Sequence, residues 1–113
     1  MPSDAHAGRA TAPAPELTER QRRHLRGLAH ALKPVIRLGQ AGLTEALTRE
    51  TARALEDHEL IKVKAAGGDR GVRDRAFAAL AALTGSALVQ RIGNVAVLYR
   101  PRPQGPRLLL PDG

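Results

Sequence analysis

The sequence predicts an α/β domain, a two-layer sandwich with a four-stranded mixed sheet and the element order α-β-α-β-α-β-β. Three observations predict it. Segments with helical spacing of apolar residues alternate with short apolar or alternating runs that are typical of strands. The first three strands are joined through helices, and right-handed crossovers of this kind pack their helices on the sheet. A chain of 113 residues has room for one core, so we expect a single domain.

The positive charge of the chain is concentrated in the part that we expect to fold. The chain has 18 Lys+Arg and 11 Asp+Glu, a formal net charge of +7, and residues 1–15 hold one charge of each sign. This excess favours a polyanionic partner, either nucleic acid or an anionic membrane surface. With one Phe, one Tyr and no Trp, the chain has few rings on which bases could stack. Nucleic-acid contacts should therefore be mostly to phosphate and sugar.

Several classes of protein are disfavoured by the composition. The absence of cysteine excludes a disulfide framework, a thiolate metal site and a cysteine nucleophile. No apolar run approaches the roughly 20 residues of a membrane span, and the first residues lack the pattern of a signal peptide, so we expect a cytoplasmic protein. None of the four histidines has a partner at metal-ligand or triad spacing. We therefore expect no enzyme, no cofactor and no metal.

We divide the chain into three segments. Residues 1–15 are rich in Ala and Pro and nearly lack large apolar side chains, so we expect a disordered tail. Residues 16–101 form the expected domain, and residues 102–113 form a C-terminal tail. Leu108, Leu109 and Leu110 make an apolar patch in that tail, which either docks on the domain or stays frayed.

The first helix is predicted from about Glu19 to Ala31. Thr18 and Gln21 have the spacing of a capping box at its start. Its apolar stripe consists of Leu25, Leu28 and Leu32. Four arginines lie largely off that stripe, and they are Arg20, Arg22, Arg23 and Arg26. They form either an ordinary solvated face or part of a nucleic-acid surface.

A glycine turn joins the first strand to the second helix. Lys33 and Pro34 precede a strand predicted at Val35–Leu38, and Gly39–Gly42 leads into a helix predicted at Leu43–His58. Glycines permit positive φ and close approach of a ligand, and the helix N-terminus that follows favours a phosphate. Taken alone, Gly-x-x-Gly is equally typical of a turn that needs glycine only for steric reasons.

The second strand, predicted at Glu59–Ala65, alternates in character. One face carries Ile61, Val63 and Ala65, and the other carries Leu60, Lys62 and Lys64. The two lysines either face nucleic acid or keep an edge strand soluble.

The last elements are a helix and a hairpin. The helix is predicted at Val72–Thr84, with Gly85 as a left-handed cap. Its expected core side consists of Ala76, Phe77, Leu80 and Leu83. Gly93-Asn94 is typical of a type II′ turn between strands at 86–92 and 95–100. The expected register pairs Arg91 with Ala96 and Leu88 with Tyr99.

Five short segments carry a resemblance to a known family, and they are Leu25–His30, Leu32–Val35, Leu38–Glu45, His58–Lys64 and Val97–Pro101. Together they resemble the CRM domain family, named for chloroplast RNA splicing and ribosome maturation, and most of all its free-standing bacterial YhbY-type members. The match covers about Leu17 to Pro101.

The resemblance implies an RNA-binding domain with a fold like the C-terminal domain of bacterial translation initiation factor three. It also implies that the Gly39–Gly42 loop and its basic surroundings contact RNA, and it links bacterial members to large ribosomal subunit precursors. The loop interior, Gln40-Ala41, departs from a basic pattern because it has no positive charge. Arginines elsewhere should then supply the affinity.

We therefore expect a monomeric ribosome assembly factor that binds rRNA of large-subunit precursors. The expected RNA-binding residues are Gly39, Gln40, Ala41, Gly42, Arg20, Arg22, Arg23, Arg26, Lys33, Arg37, Lys62 and Lys64. The alternatives are a structured-RNA or duplex-DNA binder not tied to the ribosome, and a protein-only adaptor. A KH domain is disfavoured because its Gly-x-x-Gly loop joins two helices, whereas a strand precedes the loop here.

Overall fold

We analysed a computed structural model of the chain, which describes residues 13–113; residues 1–12, most of the predicted N-terminal tail, lie outside it. The described residues form three helices and four strands. Their bounds are α1 Glu19–Ala29, β1 Pro34–Leu38, α2 Glu45–His58, β2 Leu60–Ala65, α3 Arg70–Thr84, β3 Ala87–Ile92 and β4 Val95–Tyr99. The α/β class and the order α-β-α-β-α-β-β are confirmed.

The four strands form one mixed sheet in the order β1-β2-β4-β3. β1 and β2 are parallel, whereas β4 is antiparallel to both β2 and β3. β2 and β4 are therefore interior strands, and β1 and β3 are the edges. The interpretation of Lys62 and Lys64 as edge-strand lysines is wrong, because they lie on an interior strand.

Helices α2 and α3 cover one face of the sheet, which we call the α2–α3 face. Its core contains Ile36, Leu38, Leu55, Ile61, Val63, Ala65, Phe77, Leu80, Ala81, Ala96 and Leu98. The alternation predicted for β2 is confirmed. Leu83, predicted for the core, is 41% exposed. The buried stripe of α3 runs instead from Phe77 and Leu80 to Ala81 and Thr84.

Helix α1 lies on the opposite face, which we call the α1 face. Leu25 and Ala29 pack there in a second core with Leu60, Val89, Val97 and Tyr99. The two-layer arrangement describes the sheet with α2 and α3, and α1 adds a partial third layer. The reason is that β4 carries apolar side chains on both faces, so that each face needs cover.

The helix ends follow local capping chemistry. The capping box of Thr18 and Gln21 is present, and Thr44 caps α2, which begins at Glu45 rather than at the predicted Leu43. Helix α3 begins two residues before the predicted start, because the Asp69 carboxylate accepts an N–H of its first turn at 3.0 Å. Gly85 ends α3 in the left-handed conformation, at a φ of 65°.

The β3–β4 hairpin turns at Gly93, whose φ of 58° is the positive value that a type II′ turn requires at its first central residue. The predicted pairing next to this turn, Arg91 with Ala96, is confirmed. The pairing predicted farther from the turn is wrong, since Leu88 faces Leu98. An irregularity between residues 88 and 90 adds one residue to β3, which shifts the register.

Glu59 joins α2 to β2 and holds the C-terminal segment, residues 102–113. Predicted as a strand residue, it is instead the C-cap of α2, with a φ of 64°. It is fully buried, with no exposed surface (0%). Its carboxylate accepts hydrogen bonds from the backbone N–H groups of Arg102, Arg107 and Leu108, at 2.8, 2.9 and 2.8 Å. The segment therefore docks on the domain.

The surroundings of Glu59 determine how its stabilising effect depends on pH. Burial raises the pKa of the Glu59 carboxyl, but the three N–H donors and the Arg102 guanidinium outweigh burial and lower the pKa below its ordinary value. A group with a lowered pKa stabilises the fold above its unfolded pKa, and this stability is lost as the pH falls through the folded pKa. We therefore expect acid to loosen the C-terminal segment below about pH 4.

Replacing Glu59 by Gln should destabilise the fold, because it removes the charge and turns an amide NH₂ toward backbone donors. We expect the free energy of unfolding to fall by about 1–3 kcal/mol at neutral pH, with a smaller difference from wild type in acid. Urea unfolding at both pH values measures this. Glu50→Gln, at an exposed position of α2, is the control. Equal stability of the two variants at neutral pH would contradict the anchoring role of Glu59.

Candidate nucleic-acid interface

The α1 face carries a row of basic side chains beside α1. Strand pairing aligns Arg37 of β1 with Lys64 of β2, and Lys64 with Val95 of β4. Lys62 lies on the same face as Lys64, because side chains two residues apart in a strand share a face. Arg37 and Lys64 are exposed, and Lys62 is half-buried. These three residues form a surface together with Arg26 of α1 and with His30, the C-cap residue of α1. We call this surface the basic shelf.

Helix α1 and the hairpin enclose a depression in the basic shelf. It has a volume of about 250 Å³, and its lining includes Arg26, His30 and Lys62. From the hairpin, Gln90, Ile92 and Val95 complete one side. Among the described residues, no carboxylate lines this depression. The depression can therefore accept an anion with aliphatic groups close by.

The other arginines of α1 lie in different environments. Arg20 and Arg23 are exposed and free to contact a partner. The Arg22 guanidinium, in contrast, donates from Nη1 to the carbonyl oxygens of Leu88 and Val89, at 2.9 and 3.1 Å. Arg22 thus ties α1 to the bulged part of β3, and its role is structural in large part. The sequence offers no signal for this, since the bond depends on the β3 register.

Arg26 and Lys33 complete the predicted basic set. Arg26 keeps its place on the basic shelf, although its Nη2 lies 3.4 Å from a Glu19 carboxylate oxygen. An exposed pair of this kind contributes little and exchanges readily for a phosphate. Lys33 lies elsewhere, in the lining of a groove with Leu28 and Leu32. The structure therefore does not bring Lys33 to the basic shelf.

The Gly39–Gly42 loop lies at the end of the sheet that the shelf reaches, two residues after Arg37. It closes through a hydrogen bond from the Gly42 N–H to the Gly39 carbonyl, at 3.0 Å. Gly42 has a φ of 76°, which favours glycine. A Cβ on Gly39 would have no described atom within 4 Å, and its φ lies outside the left-handed region. Neither packing nor conformation therefore requires glycine at position 39, which leaves its backbone open to a ligand.

A cleft of about 480 Å³ separates this loop from the connection between β2 and α3. Gly39, Gln40 and Gly42 line one wall, and residues 65–69 line the other together with Arg73. Both connections follow parallel strands, whose carboxyl ends share one edge of the sheet, and α/β sheets commonly bind ligands there. Residues 65–69 and Arg73 are not among the predicted site residues. The two predicted crossovers imply parallel strands, and this could have placed both loops at the same edge of the sheet.

The electrostatics of the cleft differ from those of the basic shelf. Arg73 is its basic residue, and the Asp69 carboxylate lines it as well. The N-terminus of α2, predicted to favour a phosphate, carries the hydroxyl cap of Thr44 and the acidic Glu45 in its first turn. Glu45 already offsets the positive end of the helix dipole. Most of the local positive charge therefore lies on the shelf rather than in the cleft.

Two negative observations apply to the described part of the chain. Within residues 13–113, no group of three or more His, Asp or Glu side chains is arranged to hold a metal ion. In the same range, no helix is both long and apolar enough to cross a membrane.

Comparison with known proteins assigns the family. The model of the CRS1 / YhbY (CRM) domain matches residues 17–100. A protein of Haemophilus influenzae named "RNA-binding protein" is 49% identical over 85 residues, which cover 75% of this chain and 86% of the relative. A protein of Bacillus subtilis with "Probable RNA-binding protein" in its name is 37% identical over 95 residues, 84% of this chain and 99% of the relative.

A solved structure agrees with the sequence matches. The solution structure of a hypothetical protein from Staphylococcus aureus superposes with a TM-score of 0.73 at 34% identity, and the match covers 85% of this chain and 100% of that one. The four-stranded mixed sheet with its three helices is thus shared with a solved protein. On the domain match and these relatives, the chain belongs to the CRS1 / YhbY (CRM) domain family, as the resemblance of its sequence segments predicts.

Proposed function

We propose that this protein binds structured RNA through the basic shelf and the adjoining Gly39–Gly42 loop. The observation that carries the proposal is the alignment of Arg37, Lys64 and Lys62 on one open sheet face, beside a depression lined by Arg26 and His30. Membership of the CRM domain family and the names of the relatives support RNA as the polyanion.

The spacing of the shelf suits a phosphate backbone. Neighbouring strands lie about 5 Å apart, and alternate residues of one strand lie about 7 Å apart. These distances place Arg37, Lys64 and Lys62 at neighbouring positions on the sheet surface, so that each side chain can contact a different phosphate. The long side chains can adapt to the curvature of an RNA helix. Binding of this kind releases counterions and weakens steeply as salt rises.

The aromatic content favours recognition of shape over sequence. Phe77 and Tyr99, the one Phe and the one Tyr of the chain, are both buried in the core. Since the chain has no Trp, it offers no exposed Phe, Tyr or Trp ring for base stacking. Contacts to phosphates and 2′-hydroxyl groups then supply most of the interaction, as in proteins that recognise double-stranded RNA.

The Gly39–Gly42 loop would extend this contact over the end of the sheet. Its backbone is exposed at Gly39, Gln40 and Ala41, and these side chains bring no charge. A loop of this kind contributes close backbone approach, and the neighbouring Arg37 supplies the charge. The loop thus positions the RNA strand, whereas the shelf provides most of the affinity.

Removing two shelf charges should weaken RNA binding. We expect Lys62→Gln with Lys64→Gln to lower the affinity for a synthetic RNA hairpin and to reduce the slope of log affinity against log salt by about 2. Fluorescence anisotropy over a salt series measures both quantities. The matched control is Arg49→Gln with Arg53→Gln, which removes the same charge from exposed positions of α2.

Two results would contradict this binding mode. Equal loss in the shelf variant and the α2 variant would indicate an effect of net charge alone. Tighter binding of a DNA hairpin with the same sequence would favour the duplex-DNA alternative, so that both hairpins belong in the series.

We further propose that the protein acts as a monomer in the cytoplasm, as an assembly factor on rRNA of large ribosomal subunit precursors. The family resemblance of the sequence and the basic shelf support this role.

In a sucrose gradient of cell lysate, we expect the protein to sediment with large-subunit precursors at low salt and to leave them at high salt. The Lys62→Gln, Lys64→Gln variant should stay at the top of the gradient. If the wild-type protein also stays at the top of the gradient at low salt, the assembly role is wrong. The anisotropy series tests RNA binding independently of that outcome.

A further inference from the structure

An apolar groove lies on the α1 face, on the other side of α1 from the basic shelf. Three exposed aliphatic residues line it, with exposed fractions of 40% for Leu28, 38% for Leu32 and 49% for Val35. Its volume is about 470 Å³, and its remaining lining residues are Lys33, His58, Leu60, Ile61, Arg107 and Leu108. Exposed aliphatic side chains that are gathered in one concave place are typical of an interaction site.

The edge of the groove has one sign of charge. Lys33 and Arg107 line it, and among residues 13–113 no acidic side chain does so. Lys33 and Arg107 lie on different elements, one after α1 and the other in the C-terminal segment. An apolar ligand with acidic groups at its ends would therefore meet complementary charge.

Three possible occupants fit the groove poorly. Residues 1–12 contain one large apolar side chain, that of Met1, and so cannot fill a groove lined by six aliphatic residues. A second copy in a symmetric contact would bring Lys33 and Arg107 of both copies to one interface, where like charges repel. RNA bases stack mainly on Phe, Tyr or Trp rings, and the groove lining has none of these; its one ring is the imidazole of His58.

We infer that this groove binds a segment of a partner protein that carries aliphatic side chains on one face and acidic residues at its flanks. Burial of Leu28, Leu32 and Val35 would drive the association, and Lys33 and Arg107 would select the acidic flanks. The protein would then have two adjoining surfaces for two partners, with RNA on the basic shelf and a protein segment in the groove.

A designed peptide tests the inference on the full chain. The probe is a labelled amphipathic helical peptide with leucines at i, i+3, i+4 and i+7 and glutamates at both flanks. We expect it to bind wild type, and we expect Leu28→Gln with Val35→Thr to weaken binding at least about tenfold. The control, Leu83→Gln with Val72→Thr, makes the same substitutions at exposed positions of α3 and should bind like wild type. A peptide with lysine flanks should bind at least about tenfold more weakly than the glutamate peptide.

Four results would overturn the inference. One is failure of the glutamate peptide to bind wild type. A second is equal binding to the groove variant and the control, which would place the peptide elsewhere. A third is displacement of the peptide by the RNA hairpin together with loss of RNA affinity in the groove variant, which would assign the groove to RNA. The fourth is a wild-type dimer that the groove variant abolishes in sedimentation equilibrium, which would assign the groove to a second copy.

Discussion

The buried carboxylate of Glu59 is the contact on which the α1 face depends. It lies where α2 ends and β2 begins, and it accepts backbone N–H groups of Arg102, Arg107 and Leu108. The Glu59 carbonyl also accepts the Arg100 N–H at 2.9 Å, so that β4 and the C-terminal segment share one anchor. Burial and the Glu59 charge raise the pKa of Tyr99, which keeps the phenol neutral beside the carboxylate. With the segment held, Leu108 and Leu110 can complete the second core.

Helix α1 divides its face of the sheet into two surfaces with different chemistry. Leu25 and Ala29 point into the core, and residues three and four positions apart share a face of a helix. Arg26 and His30 therefore lie along one flank, beside Lys62, whereas Leu28 lies along the other flank, in the groove. The same helical period thus places a basic surface and an apolar surface side by side, and each is suited to a different partner.

Local signals in the sequence predict most of the elements, because caps, glycine turns and alternation depend on neighbouring residues. The capping box at Thr18 and the two faces of β2 are examples. The role of Glu59 could not be predicted, since its partners lie 43 to 49 residues away along the chain. The same holds for the bonds of Arg22 to β3 carbonyls, which lie 66 and 67 residues away along the chain. Of the candidate site, Arg37, Lys62 and Lys64 were identified as basic residues, but only the parallel pairing of β1 and β2 brings them together. Leu28 belongs to the predicted apolar stripe of α1, and the structure leaves it 40% exposed.

The face that contacts RNA can be mapped directly by NMR, since a chain of 12.1 kDa gives well-resolved amide spectra. An isotope-labelled sample would be titrated with the RNA hairpin at low salt. We expect the amide signals of residues 37–42, 62–64 and 26–30 to shift, and those of the exposed side of α2 around Arg49 and Arg53 to stay in place. Shifts confined to α2 and α3, with the basic shelf unchanged, would contradict RNA binding on the α1 face.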